Sequence, residues 1–179
     1  MPSPNTPAVR TTLQSRGCTW EYAGVAGWLL RASTDPRLSQ REWAQYGITA
    51  LPCGTEFAAV RIAAGLVRAA AGVPDSGDAD QAVDQYLTRA LLSGPVICDR
   101  RVGWYYALVP PEAARDWVVE AAVCRGKGGF IGVPQPDARH EHGARCYWAV
   151  PMTAPGRLCS TSAVTQLVHT GRLLELARG

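Results

Sequence analysis

The chain has 179 residues and a mass of 19.2 kDa, with 47% hydrophobic and 18% charged residues. This balance supplies enough apolar side chains for a folded core and too little charge for a disordered chain. It contains no apolar run of the roughly eighteen residues that a transmembrane helix needs, which excludes an ordinary membrane span. The first ten residues lack the basic start and apolar block of a signal peptide, so we expect a cytoplasmic protein.

The basic residues are unevenly distributed along the chain. All of them are arginines except Lys127, a bias typical of a GC-rich genome. Residues 1–99 carry a net charge of −1, whereas residues 100–179 carry a net charge of +4. An anionic partner is therefore expected to contact the second half, although the total of +3 is too small to identify a nucleic-acid-binding protein by itself.

The polar and apolar patterns predict one domain with helices and strands in mixed order. Residues 1–17 are polar and contain three prolines, which predicts a flexible tail ahead of a single domain over residues 18–179. Helices are predicted over residues 33–47, 63–71, 81–92, 111–123 and 160–171, and strands over residues 48–51, 57–62, 95–98, 104–109, 130–133 and 145–150. Hairpins outnumber βαβ units in this order, so we predict an α+β fold with a largely antiparallel sheet.

Local signals mark the ends of two predicted helices. Asp35 can cap the helix over residues 33–47, Pro36 suits its first turn, and Gly47 suits the position after its end. The apolar side of this helix is expected to consist of Leu38, Trp43 and Tyr46. The last helix is expected to break near Gly171, because glycine lowers helix stability.

Metal sites are possible alternatives at two places in the sequence. The six cysteines form no CxxC pair, and several lie in apolar runs, so we predict buried free thiols. The alternative is a zinc site at His140, His142 and Cys146, although zinc usually needs a fourth ligand. Residues 74–84 hold four aspartates and predict an exposed acidic loop, with metal binding by these carboxylates as the alternative.

The segment over residues 125–129, Arg-Gly-Lys-Gly-Gly, is the strongest candidate for anion binding. Its three glycines let backbone amides approach a phosphate, and Arg125 and Lys127 add positive charge. The alternative is a turn between two elements that needs glycine for its backbone conformation. The sequence contains no Walker A, GxGxxG, GxSxG or HExxH motif, and we predict neither a cofactor nor a resident metal.

Three segments taken together resemble a known family over about 120 residues. They span Ala32–Gly54, Gly94–Pro111 and Cys124–Pro151. In order and spacing they resemble the prim-pol domain, the N-terminal half of bifunctional DNA primase/polymerases in the archaeo-eukaryotic primase superfamily. The third segment is the most specific, since its matching positions are Arg125, Gly126, Gly128, Gly129, Pro134, Gly143, Tyr147 and Trp148.

The resemblance implies a fold and also a loss of chemistry. The implied fold is a primase/polymerase-like one, with an RRM-like antiparallel sheet, flanking helices and a second small α/β unit. Catalysis in the family needs carboxylates that bind two divalent ions. Here Arg61 and Ala63 take the two acidic places on the first strand, and Val123 takes the third. The family's phosphate-contacting histidine is replaced by Trp104 or Tyr105. The resemblance therefore implies a pseudoenzyme.

A binding groove is the property most easily retained in such a protein. Arg61 is expected to replace the metal ions as a fixed positive charge. The candidate nucleic-acid or phosphate site consists of Arg61, Arg100, Arg101, Trp104, Arg125, Gly126, Lys127, Gly128 and Arg145. Tyr105 and Tyr106 are further candidates for stacking on bases. The alternatives are that Trp104, Tyr106 and Leu108 form the buried face of a strand, and that Arg100 and Arg101 are solvated turn residues.

Three functional hypotheses follow. The first is a non-catalytic primase/polymerase-like protein that binds single-stranded nucleic acid or a nucleotide, as an accessory or regulator of replication. The second is a protein-interaction module on the same fold with no such groove. The third is a working enzyme, either a nucleotidyltransferase with displaced carboxylates or a cysteine enzyme built on Cys98. The first requires Arg61, Arg100, Arg125 and Lys127 to lie on one concave face.

Overall fold

The computed structural model describes residues 16–74, 79–140 and 144–178, and side chains from residue 23 onward. The helices are α1 (Arg16–Leu30), α2 (Pro36–Tyr46), α3 (Ala64–Ala71), α4 (Asp80–Ala90), α5 (Ala113–Asp116) and α6 (Thr161–Arg178). The strands are β1 (Ile48–Pro52), β2 (Ala58–Ala63), β3 (Val96–Asp99), β4 (Trp104–Val109), β5 (Val123–Arg125), β6 (Phe130–Pro134) and β7 (Cys146–Val150). None of the helices in the described ranges is long and apolar enough to cross a membrane.

The strands form two antiparallel sheets. The larger sheet has five strands in the order β5-β2-β4-β3-β7, and the smaller sheet pairs β1 with β6. Every neighbouring pair is antiparallel. The predicted α+β class with a largely antiparallel sheet is therefore confirmed at this level.

Helix α2 begins and ends where the sequence signals predict. The Asp35 side chain accepts a hydrogen bond from the Leu38 amide at 3.0 Å. Gly47 adopts a left-handed φ of 72°, and its amide donates to the Trp43 carbonyl at 2.9 Å. Of the three expected apolar contacts only Trp43 is buried, while Leu38 and Tyr46 are exposed. Trp43 carries the packing because its indole also donates to the Val133 carbonyl on β6.

The five-stranded sheet separates two hydrophobic clusters. Alternate residues of β2, such as Val60 and Ile62, pack with α3, α4 and α6 on one face, which we call the helical face. The opposite face packs against α1 and the β1–β6 sheet through side chains such as Ala59, Ile97 and Trp148, and we call it the front face. Only part of the front face is covered, so residues near the ends of β2, β3 and β4 remain accessible.

The helix predicted over residues 111–123 is wrong beyond its first turn. The structure contains only the short helix α5, after which Trp117 takes an extended conformation. The Trp117 indole donates to the carbonyls of Val119 and Ala122, which folds the segment back on itself. Val119 is buried in this segment, while Val118 is 87% exposed. The chain then pairs with β2 as the edge strand β5.

The exposed acidic loop predicted over residues 74–84 is also wrong for its second half. Residues 75–78 lie outside the described residues, but Asp80 begins α4 and is only 7% exposed. Its carboxylate forms ion pairs with Arg68 at 2.7 Å and with Arg100 at 2.5 Å. Two guanidinium partners compensate the loss of hydration, which explains how this aspartate is buried.

The break predicted near Gly171 does not occur, and α6 continues to Arg178. Gly171 is buried against α3, where a Cβ atom would lie 2.3 Å from the Leu66 carbonyl oxygen. The glycine is therefore a close-approach position between two helices rather than a helix end.

Candidate nucleic-acid interface

The register of the large sheet brings two predicted site residues together on the front face. On β2, Arg61 lies directly opposite Tyr106 of β4 on one side and Val123 of β5 on the other. Arg125 of β5 pairs with Ala59, two residues from Arg61 on the same face. Arg61 and Arg125 are thus diagonal neighbours on adjacent strands, and residues in this relation lie about 7–8 Å apart. The two guanidinium groups therefore belong to one surface.

Both of these arginines have a buried nitrogen without a partner. The Nε atoms of Arg61 and Arg125, like that of Arg100, are buried and have no hydrogen-bond partner. None of the described residues forms an ion pair with either guanidinium. The Arg61 Cζ lies 4.4 Å from the centroid of the Trp104 ring, so the ring supports the guanidinium from one side. An anion bound from solvent would supply the negative charge that the described residues do not give these two guanidinium groups.

Tyr106 lies within electrostatic reach of the charges on this face. Burial raises the pKa of the Tyr106 phenol, while the positive charges of Arg125 and Arg61 act to lower that pKa and the Asp99 carboxylate acts to raise it. Tyr106 is half-buried and packs against the front-face cluster. It therefore contributes to the floor of the site, as the alternative of a packed strand face predicts.

The glycine-rich segment over residues 125–129 follows β5 and continues the same surface. Gly126 lies so close to α5 that a Cβ atom at this position would come within 2.5 Å of the Ala114 Cβ. Packing therefore requires a glycine at this position. The Gly129 carbonyl accepts from the Cys53 amide at 2.8 Å, which anchors the segment to the end of β1. Lys127 and Gly128 are exposed at the tip. The segment is a turn whose glycines have structural roles, as the alternative interpretation predicts, and it carries an accessible cation at its tip.

Arg101 and Arg145 lie at the other end of the front face. Both are exposed and line a cavity of about 460 Å³ between the two sheets. The Arg101 amide donates to Asp99 Oδ1 at 3.1 Å, which fixes the turn between β3 and β4. The two arginines thus extend the cationic surface toward β7.

Arg100 borders a small cavity with Arg101 and Arg145, but its charge is paired elsewhere. Besides its ion pair with Asp80 on α4, it donates to the Ala144 carbonyl at 3.3 Å and hydrogen-bonds His140. Its Cζ also lies 5.2 Å from the Tyr147 ring centroid. Arg100 is therefore directed to the helical face, where Asp80 neutralises it.

Trp104 stays half-buried beside Arg61, whereas Tyr105 is 2% exposed in the helical-face cluster and is not accessible to a base.

The residues of the proposed metal and cysteine sites have other roles where they are described. The His140 ring packs edge-on against Tyr147 with centroids 5.2 Å apart, and His142 lies outside the described residues. In the described ranges, no three His, Cys, Asp or Glu side chains are grouped closely enough to hold a metal ion. Burial raises the pKa of the Cys98 thiol to about 11, so the thiol stays protonated near neutral pH and is a poor nucleophile.

Asp84, one turn after Asp80, is expected to make the stability of the fold depend on pH. The Tyr147 hydroxyl donates to its Oδ1 at 3.3 Å. Burial raises the pKa of Asp84 from 3.8 to about 7, and the nearby Asp80 charge adds to this increase. The unfolded chain releases this proton at lower pH than the folded protein does. The free energy of unfolding is therefore expected to fall as the pH rises from about 4 to about 7, and to level off above that.

The substitution Asp84→Asn tests this expectation, because it keeps an acceptor for Tyr147 and removes the titration. The stability advantage of the variant over wild type is expected to grow by on the order of 2 kcal/mol between pH 5 and pH 8. Urea unfolding at both pH values measures it. An advantage that is the same at both pH values would show that Asp84 does not titrate in this range.

Several residues of this region carry no signal in the sequence that marks them for a site. Tyr46 was expected to face the core, yet it is 66% exposed at the mouth of the cavity. Asp99 and Gln135 line the same cavity from different strands. Side chains along β3 alternate between the two faces of the sheet, so Asp99 lies on the same face as Ile97. This alternation places Asp99 on the front face.

Comparisons of the chain with protein-family models, with curated proteins and with solved structures find no match. Function is therefore inferred from the geometry of the front face itself.

Proposed function

We propose that the protein binds single-stranded nucleic acid along the front face and does not transfer nucleotides. The observation that carries this proposal is the pair of arginines, Arg61 and Arg125, which share one sheet surface and have no acidic partner among the described residues. Phosphodiester oxygens accept hydrogen bonds from guanidinium groups in a planar, charge-assisted geometry. Two such groups on adjacent strands suit a chain of phosphates better than a single small anion.

Aromatic groups near the arginines favour a single strand over a duplex. The Trp104 ring lies against the Arg61 guanidinium, and Tyr46 is exposed near Arg101 and Arg145. Unpaired bases stack on aromatic rings and on guanidinium planes, whereas the bases of a duplex are stacked on one another. Lys127 at the tip of the glycine-rich segment adds a further contact for the backbone of the strand.

The position of Arg61 supports the absence of catalysis. On the resemblance to the prim-pol domain, Arg61 and Val123 stand where carboxylates would bind divalent ions, and they are directly opposite each other on β2 and β5. Ala63, the remaining such position, is paired with Trp104. A fixed guanidinium repels a divalent cation at this place. We therefore infer a primase/polymerase-like pseudoenzyme that acts as an accessory or regulator of replication.

Fluorescence anisotropy with a labelled single-stranded oligonucleotide tests the proposal. The wild-type protein is expected to bind with a micromolar or lower dissociation constant at low salt, and the affinity is expected to fall as salt rises. The slope of log K against log salt counts the phosphates engaged, at about 0.7 for each contact with a single strand. Absence of binding at low salt, or affinity that does not respond to salt, would overturn the proposal.

One observation favours the alternative of a protein-interaction module. Leu173 and Leu176 are exposed on the last turns of α6, and exposed Val118 lines a groove of about 700 Å³ beside that helix. Exposed apolar surface of this kind marks contacts with other proteins. If the oligonucleotide does not bind and light scattering shows an assembly larger than one chain, this alternative would replace the first.

A further inference from the structure

The cavity between the two sheets has a shape and polarity that phosphate binding does not explain. Its volume of about 460 Å³ lies within the range of about 300–1,000 Å³ that is typical of small-molecule pockets. Arg101 and Arg145 line it, together with Tyr46, Gln135 and Asp99. An aromatic ring, an amide and a carboxylate inside a cationic opening are the groups that a nucleobase would contact.

Asp99 is the informative residue of this cavity, since it is a negative charge within a cationic surface. Its Oδ1 accepts one hydrogen bond, from the Arg101 amide, and it forms no ion pair with any of the described residues. It lies opposite Trp104 in the hairpin and opposite Cys146 on β7. A carboxylate has about four acceptor positions, so most of its hydrogen-bonding capacity is unused. It repels phosphate, and therefore suits a part of the ligand that carries N–H donors.

The backbone of Gln135, on one wall of the cavity, is fixed by two hydrogen bonds. The backbone amide of Gln135 donates to the Gly47 carbonyl at 3.0 Å, and the backbone carbonyl of Gln135 accepts from the Trp148 indole at 2.9 Å. These two bonds join the strand ends of both sheets at the cavity. The Gln135 backbone is therefore held in place before any ligand binds, and the Arg101 amide holds one oxygen of Asp99, which limits the entropy lost on binding.

We infer that this cavity receives a guanine base of the bound strand, with Asp99 accepting hydrogen bonds from the ring N1–H and the exocyclic 2-amino group. Guanine alone among the common bases presents two adjacent N–H donors on its Watson–Crick edge, and these match the two oxygens of one carboxylate. Adenine and cytosine place a ring acceptor beside the amino group, and uracil and thymine flank their one N–H with carbonyls. A carboxylate repels each of those acceptors.

The remaining groups of the cavity suit the rest of the nucleotide. The exposed Tyr46 ring offers a stacking surface at the mouth, and the Gln135 side-chain amide supplies a donor suited to the guanine O6. Arg101 and Arg145 contact the flanking phosphates. This inference rests on the proposed function, because the base enters as part of the strand held by the front-face arginines.

The test compares oligothymidine strands that carry thymine, guanine or hypoxanthine at one central position. Hypoxanthine differs from guanine only by lacking the 2-amino group. The guanine strand is expected to bind the wild-type protein about tenfold more tightly than the hypoxanthine strand, since one charged hydrogen bond is lost. Its advantage over the thymine strand is expected to be at least as large, because thymine offers no pair of adjacent donors. Asp99→Asn is expected to remove this preference and to leave binding of the thymine strand intact. The asparagine keeps the oxygen that accepts from the Arg101 amide.

A matched control and a free nucleotide complete the experiment. Asp116→Asn, an exposed residue of α5, makes the same charge change away from the cavity and is expected to keep the guanine preference. If GMP binds more tightly than IMP in calorimetry, and Asp99→Asn removes the difference, the cavity accepts guanine from a free nucleotide as well. Equal binding of all three strands would overturn the inference and leave the proposed function standing. Failure of every strand to bind would overturn the proposed function instead, and a GMP preference in that case would assign the cavity to a free nucleotide.

Discussion

The double substitution Arg61→Ala and Arg125→Ala is expected to lower the affinity for single-stranded nucleic acid about a hundredfold, since each guanidinium–phosphate contact is expected to contribute at least about 1.4 kcal/mol. The slope of log K against log salt is expected to fall by about 1.4, because two phosphate contacts are lost. Anisotropy titrations at several salt concentrations measure both quantities. The slope separates loss of phosphate contacts from a general loss of structure.

The fold is expected to tolerate this double substitution. Neither arginine forms an ion pair with a described residue, and removing a buried Nε without a partner leaves no group newly unsatisfied. The loss of the Arg61–Trp104 contact is expected to cost about 0.5–1 kcal/mol. Circular dichroism should therefore show a native spectrum with only a small decrease in melting temperature.

The matched control is Arg89→Ala with Arg178→Ala, which removes the same charge from exposed positions on α4 and α6. This control is expected to change the affinity less than threefold, because long-range attraction is screened beyond about 10 Å at moderate salt. Equal losses for the two pairs would mean that the protein binds nucleic acid through its net charge. The front face would then have no special role.

The arginines on the two faces of the sheet differ in whether they have an acidic partner. This difference supports the front face as the proposed binding surface. On the helical face, Asp80 pairs with both Arg68 and Arg100. On the front face, Arg61 and Arg125 have no acidic partner among the described residues. Charges that are buried for structural reasons are normally compensated within the protein. The lack of this compensation at Arg61 and Arg125 agrees with the proposal that a ligand supplies the negative charge.

Much of the local structure could be predicted from the sequence because local signals determine it. The Asp35 cap, the left-handed Gly47 and the hairpin turn ending at Gly103 each depend on residues a few positions apart. The helix expected after Pro111 was wrong for a nonlocal reason. Residues Val123–Arg125 pair with the edge of β2, and that partner lies about sixty residues earlier in the chain.

The candidate site was only partly predictable, since residue type does not reveal which face of a sheet a side chain occupies. Arg100 and Arg101 are adjacent, yet Arg100 pairs with Asp80 on the helical face while Arg101 lines the front cavity. The acidic segment over residues 74–84 carries no local sign that Asp80 binds two arginines. The sequence does not mark Asp99 as a site residue, because the cavity around it forms from four separate strands or strand ends.

The largest effect on stability is expected from Gly171→Ala in α6. In an isolated helix this change is stabilising by about 1 kcal/mol, because alanine has the higher helix propensity. Here the added methyl group would lie 2.3 Å from the Leu66 carbonyl oxygen of α3, where neither backbone can move without separating the helices. We expect the free energy of unfolding to fall by about 3 kcal/mol, the upper range for overpacking. The melting temperature is then expected to fall by roughly 10 °C.

Gly27→Ala provides a control with the opposite expected sign. Gly27 also lies within a helix, α1, but no atom comes within 4 Å of the place where its Cβ would be. The same chemical change is therefore expected to stabilise the protein by about 0.5–1 kcal/mol through helix propensity alone. Urea unfolding of the two variants measures both effects. If Gly171→Ala is as stable as wild type or more stable, α3 and α6 do not approach as closely as described, and the helical-face core must be packed differently.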